Sequence, residues 1–298
     1  MAVIWGTNYS IVKSAFEEID PQAFNALRML IASTVFLVVI VVMNRAVRRT
    51  GDAGVNSIFH TPAALTRRDW FALAALGAVG HALYQYLFVG GLALTSVANS
   101  SLMLAATPVV VGIISALFGY ERLGPLHWIG AALSLMGIYI VVGHGGGPEQ
   151  SSLRGDLMMV GAVCCWAIYT LGAGPLMTRH SPVGVTGLSM AIGTLLYVPV
   201  MVPKLRVTPW LSLSAGTWMA ILYSALFALC VAYTIWYMAV REIGSARTAV
   251  YSNVIPIVAM LTAVIFLGER LTAGRLLGAF AVLIGVALTR VRPRTVGA

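Results

Sequence analysis

His81, Tyr84, Gln85 and Phe88 stand at i, i+3, i+4 and i+7 of an apolar run, so a helix there carries an imidazole, a phenol, an amide and a phenyl ring on one face. Cys230, Tyr233, Trp236 and Tyr237 form a second stripe of this kind. Trp5 with Asn8, and Trp166 with Tyr169, repeat a spacing of three in two further runs. Asn99, Met103 and Thr107 come shortly before Pro108, and Tyr251, Ser252 and Asn253 come one turn before Pro256. Rings and neutral hydrogen-bonding groups recognise a solute by stacking and edge contacts rather than by making or breaking its bonds. Singly, each residue is better explained as an interhelical hydrogen bond worth roughly 1 kcal/mol or less, or as an anchor at the membrane interface. Four aligned faces together favour a shared aromatic cavity.

Bond-making chemistry finds no support. A catalytic site needs a nucleophile with an acid or base partner, or a metal set. His60, His127, His144 and His180 fall in or beside loops without ligand spacing, and Cys164, Cys165 and Cys230 lie inside apolar runs as packing residues. No enzyme activity, metal or cofactor is expected. No Asp or Glu falls in the central third of any apolar run, so a carboxylate relay for protons or cations has no candidate. His81 is the one central group able to titrate near neutral pH, and a hydrogen-bonded structural histidine is favoured over a proton carrier. Lys13 and Arg28 are expected to lie toward the outer side, able to snorkel and serving as anchors, with a substrate carboxylate as the alternative partner.

These stripes need apolar helices to carry them. With 59% hydrophobic and 10% charged residues in 298, the chain has too little polar surface for a water-soluble globule and reads as an all-α polytopic membrane protein. Runs long enough to cross a bilayer lie at 2–17, 22–44, 70–93, 97–119, 124–143, 154–174, 182–203, 214–239, 246–267 and 273–290, giving ten transmembrane helices. The net charge of +9 follows the positive-inside rule rather than pointing to nucleic acid. Arg45, Arg48, Arg49, Arg67, Arg68, Arg122, Arg179, Arg241, Arg247, Arg290, Arg292 and Arg294 collect on one side. Arg154, Lys204, Arg206, Arg270 and Arg275 fall on the other, beside Glu17, Glu18 and Asp20. Both termini are therefore expected in the cytoplasm. The start, Met-Ala-Val-Ile-Trp-Gly-Thr-Asn, lacks a basic n-region and a cleavage site and reads as a retained helix.

The chain also repeats itself. Pro108 and Glu121-Arg122-Leu123 recur 148 residues later as Pro256 and Glu269-Arg270-Leu271, with seven more identities between Ala98 and Gly137 in the same register. Upstream, Trp5 aligns with Trp166 and Pro21 with Pro182, both 161 apart. Helices one to five (1–143) thus match helices six to ten (154–298), joined by an external linker at 144–153. Five crossings is an odd number, so the copies enter the membrane from opposite faces as inverted-topology repeats around a central cavity, the construction of many secondary transporters. Pro108 and Pro256 bend their helices, as static kinks or as hinges. Gly130, Ser134 and Gly137, with Gly274, Gly278 and Gly285, make close-packing faces, favoured over a dimer contact.

Trp5-Gly6-Thr7-Asn8 with Lys13, Asp20-Pro21 with Arg28, and the twin Pro-x12-Glu-Arg-Leu segments resemble the EamA-type repeat of the drug/metabolite transporter superfamily in two copies over nearly the whole chain. The stretch His81-Ala82-Leu83-Tyr84-Gln85-Tyr86 is most similar to bacterial YddG-type aromatic amino-acid exporters. Gly174 and Ser189 stand where half one has Lys13 and Arg28, so a symmetric ligand clamp is not expected. The resemblance implies a bacterial inner-membrane protein whose partners are the lipid bilayer and a small amino-acid-like substrate; the close-packing reading of the glycine faces favours a monomer over a dimer. It would export aromatic and related neutral amino acids by alternating access, and the missing carboxylate relay favours facilitated efflux over tight proton coupling. Trp5, Asn8, His81, Tyr84, Gln85, Phe88, Asn99, Met103, Trp166, Tyr169, Tyr233, Trp236, Tyr237, Tyr251, Ser252 and Asn253 are the candidate substrate contacts. A broad exporter of amphiphilic or cationic compounds, and a membrane sensor or scaffold without transport, are the alternatives.

Overall fold

The computed structural model describes residues 1–50, 57–61, 63–117, 124–143, 152–243, 254–269 and 272–289, and every regular element among them is helical. In chain order they are α1 (Ala2–Ala15), α2 (Pro21–Thr50), α3 (Arg67–Leu94), α4 (Val97–Ala105, resumed at Thr107–Leu117) and α5 (Pro125–Gly143). These are followed by α6 (Leu153–Met177), α7 (Pro182–Val207), α8 (Ala215–Glu242), α9 (Val254–Leu267) and α10 (Ala273–Thr289). Six of them, α2, α3, α4, α6, α7 and α8, are long and apolar enough to cross a membrane, and shorter apolar helices lie within α5, α9 and α10. Val38, Val42, Leu195, Val200, Ile265, Phe266, Leu277 and Phe280 are exposed on their outer faces. A water-facing surface does not tolerate so many bulky apolar side chains, whereas acyl chains do. The chain is a multi-pass membrane protein.

Small polar residues start the helices. Asp20 accepts from the amides of Gln22 (2.9 Å) and Ala23 (3.1 Å) ahead of Pro21. Ser96, Ser152, Ser181 and Ser214 accept from the amides of Asn99, Gly155, Gly184 and Thr217 in the same way. Each cap satisfies one of the amides that the first turn of a helix leaves without a backbone partner. Thr66 and Asp69 form a reciprocal capping box at the start of α3.

Several helix contacts come in pairs related by adding five to the helix number. Helix α1 runs along α9 and α6 along α4; α3 along α6 and α8 along α1; α3 against α7 and α8 against α2. Three further pairs, α2 with α7, α4 with α9 and α5 with α10, map onto themselves. The small faces of α5 and α10 meet one another: a Cβ on Gly137 would lie 2.7 Å from the Gly278 carbonyl, and the Ser134 hydroxyl donates to the Val282 carbonyl at 3.2 Å.

Several elements differ from the expectations. Helix α2 continues six residues past 44, because hydrophobicity marks only the lipid-embedded part of a helix whose Arg-bearing last turns project beyond it. Helix α4 is interrupted at Ala106, just before Pro108, where the Thr107 hydroxyl donates to the Leu104 carbonyl at 2.6 Å. Pro108 lacks the amide that would continue the ladder. Pro256 is the third residue of α9. The middles of α3 and α8 are wound as π-helix, at Gly77–Leu83 and Ser224–Val231, which begin 147 and end 148 residues apart. The 144–151 portion of the expected linker, Glu121-Arg122-Leu123 and Arg270-Leu271 lie outside the described residues.

Candidate functional site

Nine of the candidate residues form one continuous ring cluster drawn from α1, α3, α6 and α8. Trp166 is its hub, with ring centroids 6.0 Å from Trp5, 5.3 Å from Tyr84, 5.9 Å from Tyr169, 5.5 Å from Tyr233 and 6.4 Å from Trp236. Trp5 reaches Tyr233 and Trp236 at 5.6 and 5.5 Å. His81 and Tyr237 join through Tyr169 at 4.8 and 5.7 Å, and Phe88 stacks on Tyr84 at 5.7 Å. Tyr9, not anticipated from the sequence, closes on Phe88 at 5.4 Å. Most of these pairs are edge-to-face or tilted, the arrangements that the ring quadrupole favours.

The π segments shape this cluster. A π turn lifts carbonyls out of the regular ladder, and the Trp5 indole N–H donates to one of them, Ala228, at 3.0 Å. In α3 the π turn carries His81, whose Nε2 lies 3.1 Å from the Tyr169 hydroxyl and 3.2 Å from Ser189 Oγ. Glycine permits both close approaches here. A Cβ on Gly80 would collide with the Tyr169 ring, and one on Gly193 would collide with His81 Cβ. His81 is fully buried between neutral hydroxyl groups.

The polar candidates divide. Gln85 is held by Arg28. Asn8 Oδ1, both side-chain polar atoms of Asn99 and the Trp236 indole N–H are buried and have no partner among the described residues. Such groups are costly to leave unsatisfied in a low-dielectric interior and offer contacts to a solute. Met103 packs into the same apolar core as the aromatic cluster, and Cys230 donates weakly to the Ala32 carbonyl at 3.7 Å. Tyr251, Ser252 and Asn253 lie outside the described residues. A separate concavity of about 230 Å³, lined by residues including Asn44, Leu73, His180 and Leu188, shares no residue with the aromatic cluster.

Arg28 is where expectation and structure part. It does not snorkel: the side chain is among the most buried in the molecule, 1% exposed. Nε donates to Asn25 Oδ1 (2.8 Å), Nη1 to Ser224 Oγ (2.6 Å) and Nη2 to Gln85 Oε1 (2.7 Å), with the Phe24 ring 5.8 Å away. The Asn25/Arg28 spacing on one face of α2 was the available signal. Its other partners come from 57 and 196 residues away, where no local pattern points. Lys13 does anchor, donating to the carbonyls of Leu92 (3.0 Å) and Thr95 at the end of α3.

One end of the molecule is tied across its length. Glu269 Oε1 and Oε2 accept from the amides of Val97 (2.7 Å) and Ala98 (3.3 Å), capping α4. Of the two Glu-Arg-Leu segments only Glu269 lies among the described residues, and it meets backbone donors at a helix end of the other half. Glu18 accepts from the Ser214 amide (2.8 Å) and the Thr217 hydroxyl (2.9 Å), Asp20 pairs with Lys204 (2.8 Å), and Tyr197 donates to Gln22. The Ser214 amide, with the Ser214 and Thr217 hydroxyls, holds the Glu18 carboxyl below its ordinary range.

The chain is similar to known proteins. The EamA-like transporter family model matches residues 1–143 and 153–291. The uncharacterized transporter YyaM of Bacillus subtilis is 22% identical over 288 residues, covering 96% of this chain and 89% of that protein. An uncharacterized transporter of Archaeoglobus fulgidus is 24% identical over 284 residues, covering 95% and 93%. A probable terminal-alkyne amino-acid exporter of Streptantibioticus cattleyicolor is 25% identical over 233 residues, covering 77% and 75%. One solved crystal structure is similar in fold at a TM-score of 0.63 and 18% identity, covering 97% of this chain and 94% of that one.

Proposed function

The chain belongs to the EamA-like transporter family, and on that premise we propose that it exports aromatic and related neutral amino acids across a bacterial inner membrane by alternating access. It is a transporter and not an enzyme. Two inverted five-helix halves hold the substrate between them, with both termini in the cytoplasm. The observation that carries this reading is the aromatic cluster, to which both halves contribute rings around Trp166 and Trp5.

The inverted arrangement draws support from residues that meet their own counterparts. In two halves related by a two-fold axis, a residue on the axis touches its equivalent. Trp5 contacts Trp166 and Ser33 bonds Thr194 at 2.6 Å, both 161 residues apart; Ser134 bonds Val282, 148 residues apart. These are the offsets of the internal duplication. The paired helix contacts obey the same exchange.

The cargo assignment draws on chemistry. Indole and phenol faces suit an aromatic side chain, and Asn8, Asn99 and Trp236 offer polar contacts to its amino-acid end. The relative named as a probable amino-acid exporter points the same way. A cationic drug would want an embedded carboxylate, and the buried Asp69 and Asp156 are engaged at helix ends by Arg179 and by Thr95. His81 sits among hydroxyl groups rather than beside a carboxylate, which favours downhill efflux over tight proton coupling. Competition separates the readings: excess tryptophan should suppress efflux of labelled phenylalanine from cells making the protein, while a quaternary aromatic amine should not. The reverse order would favour the drug exporter, and no efflux of either would favour a sensor.

A further inference from the structure

Resting on the amino-acid reading above, we infer that Arg28 is the receptor for the substrate's carboxylate, and that the transported class is therefore aromatic carboxylates rather than aromatic amines, amides or esters. A guanidinium has five N–H donors in a rigid fork. Three of them are taken by neutral oxygens of Asn25, Ser224 and Gln85. One N–H on each terminal nitrogen remains for an acceptor that the described residues do not supply.

Among the described residues no carboxylate pairs with this cation. The carboxylates of the same end, Glu18, Asp20 and Glu269, are occupied by Ser214 and Thr217, by Lys204, and by the α4 amides. A buried charge in a membrane protein without a protein counter-ion marks a substrate pathway. Its position fits. Gln85 follows the π segment of α3 by two residues, Ser224 opens the π segment of α8, and those same segments hold His81 and the Ala228 carbonyl that fixes Trp5. Gln85 directly follows Tyr84 in the chain, so the cation borders the ring cluster at α3.

The inference is tested on the full chain in proteoliposomes by competition against counterflow of labelled phenylalanine. Unlabelled phenylalanine and 3-phenylpropionate should compete at least tenfold better than phenylalaninamide and phenethylamine. Arg28→Gln should abolish that discrimination, and Arg28→Lys should retain part of it. Should Arg28→Gln fail to fold, Gln85→Glu supplies a resident carboxylate to the guanidinium and should weaken 3-phenylpropionate competition at least tenfold. Equal competition by the amide and the amine in the wild-type protein, undiminished discrimination in Arg28→Gln, or unchanged competition in Gln85→Glu would each make Arg28 a structural group and overturn the inference while leaving amino-acid transport intact. If no aromatic amino acid moves at all, the amino-acid reading fails and takes this inference with it.

Discussion

Trp5 and Trp166, 161 residues apart, meet edge to face with their ring centroids 6.0 Å apart and their planes at 90°. They occupy equivalent positions in the duplicated sequence. Trp166→Phe keeps a ring at the hub and should cost at most a fewfold in transport. Trp166→Ala removes it and should lower kcat/KM at least tenfold, together with a core penalty of about 3 to 5 kcal/mol. Initial rates in proteoliposomes, normalised to folded protein by size-exclusion chromatography, distinguish the two.

Glu269, two residues past the end of α9, caps α4 from 172 residues away. Glu269→Gln keeps one acceptor but loses the charge, and Glu269→Ala loses both. The alanine variant should be less stable by about 1 kcal/mol, in the usual range for a lost cap, and the glutamine variant by less. Thermal unfolding in detergent measures this, and identical Tm values for all three proteins would refute the capping role.

The small faces of α5 and α10 are used up against each other. Gly137→Leu would drive a side chain into the Gly278 carbonyl, and overpacking of this kind costs about 1 to 3 kcal/mol. Its Tm should fall while its oligomeric state, read by light scattering in detergent, stays that of the wild type. A change in oligomeric state without loss of Tm would point to a dimer face instead.

Glu18 gives a pH dependence of definite sign. Hydrogen bonds from Ser214 and Thr217 depress its pKa in the folded protein. Its contribution to stability is therefore fully present above the ordinary carboxylate pKa and is lost as pH falls through the folded value. Tm should be flat from neutral pH down to about 5 and decline below it. Glu18→Gln should shallow that decline without altering the plateau slope; an unchanged acid limb would remove Glu18 from the account.

Much of the ring cluster was legible because aromatic residues on apolar helices keep their periodicity in sequence: Tyr84/Phe88 and Tyr233/Trp236/Tyr237 converge as their spacing implies. The Gly130/Ser134/Gly137 face was legible for the same reason. What local pattern does not carry is tertiary. The π winding at Gly77–Leu83 and Ser224–Val231 changes a hydrogen-bond register, not a residue type. The burial of Arg28 depends on Gln85 and Ser224, which only the fold brings to it. Glu269 announced itself as a repeated residue, while its partners, two backbone amides, have no sequence signature.

Counterflow tests transport of aromatic amino acids without obligatory proton coupling most directly. Proteoliposomes loaded with unlabelled phenylalanine, at equal pH inside and out and with a protonophore present, should accumulate labelled phenylalanine transiently above equilibrium, and His81→Gln should do the same. Uptake that requires an imposed pH gradient and vanishes in His81→Gln would contradict uncoupled transport, and absence of counterflow for every aromatic amino acid would contradict the cargo.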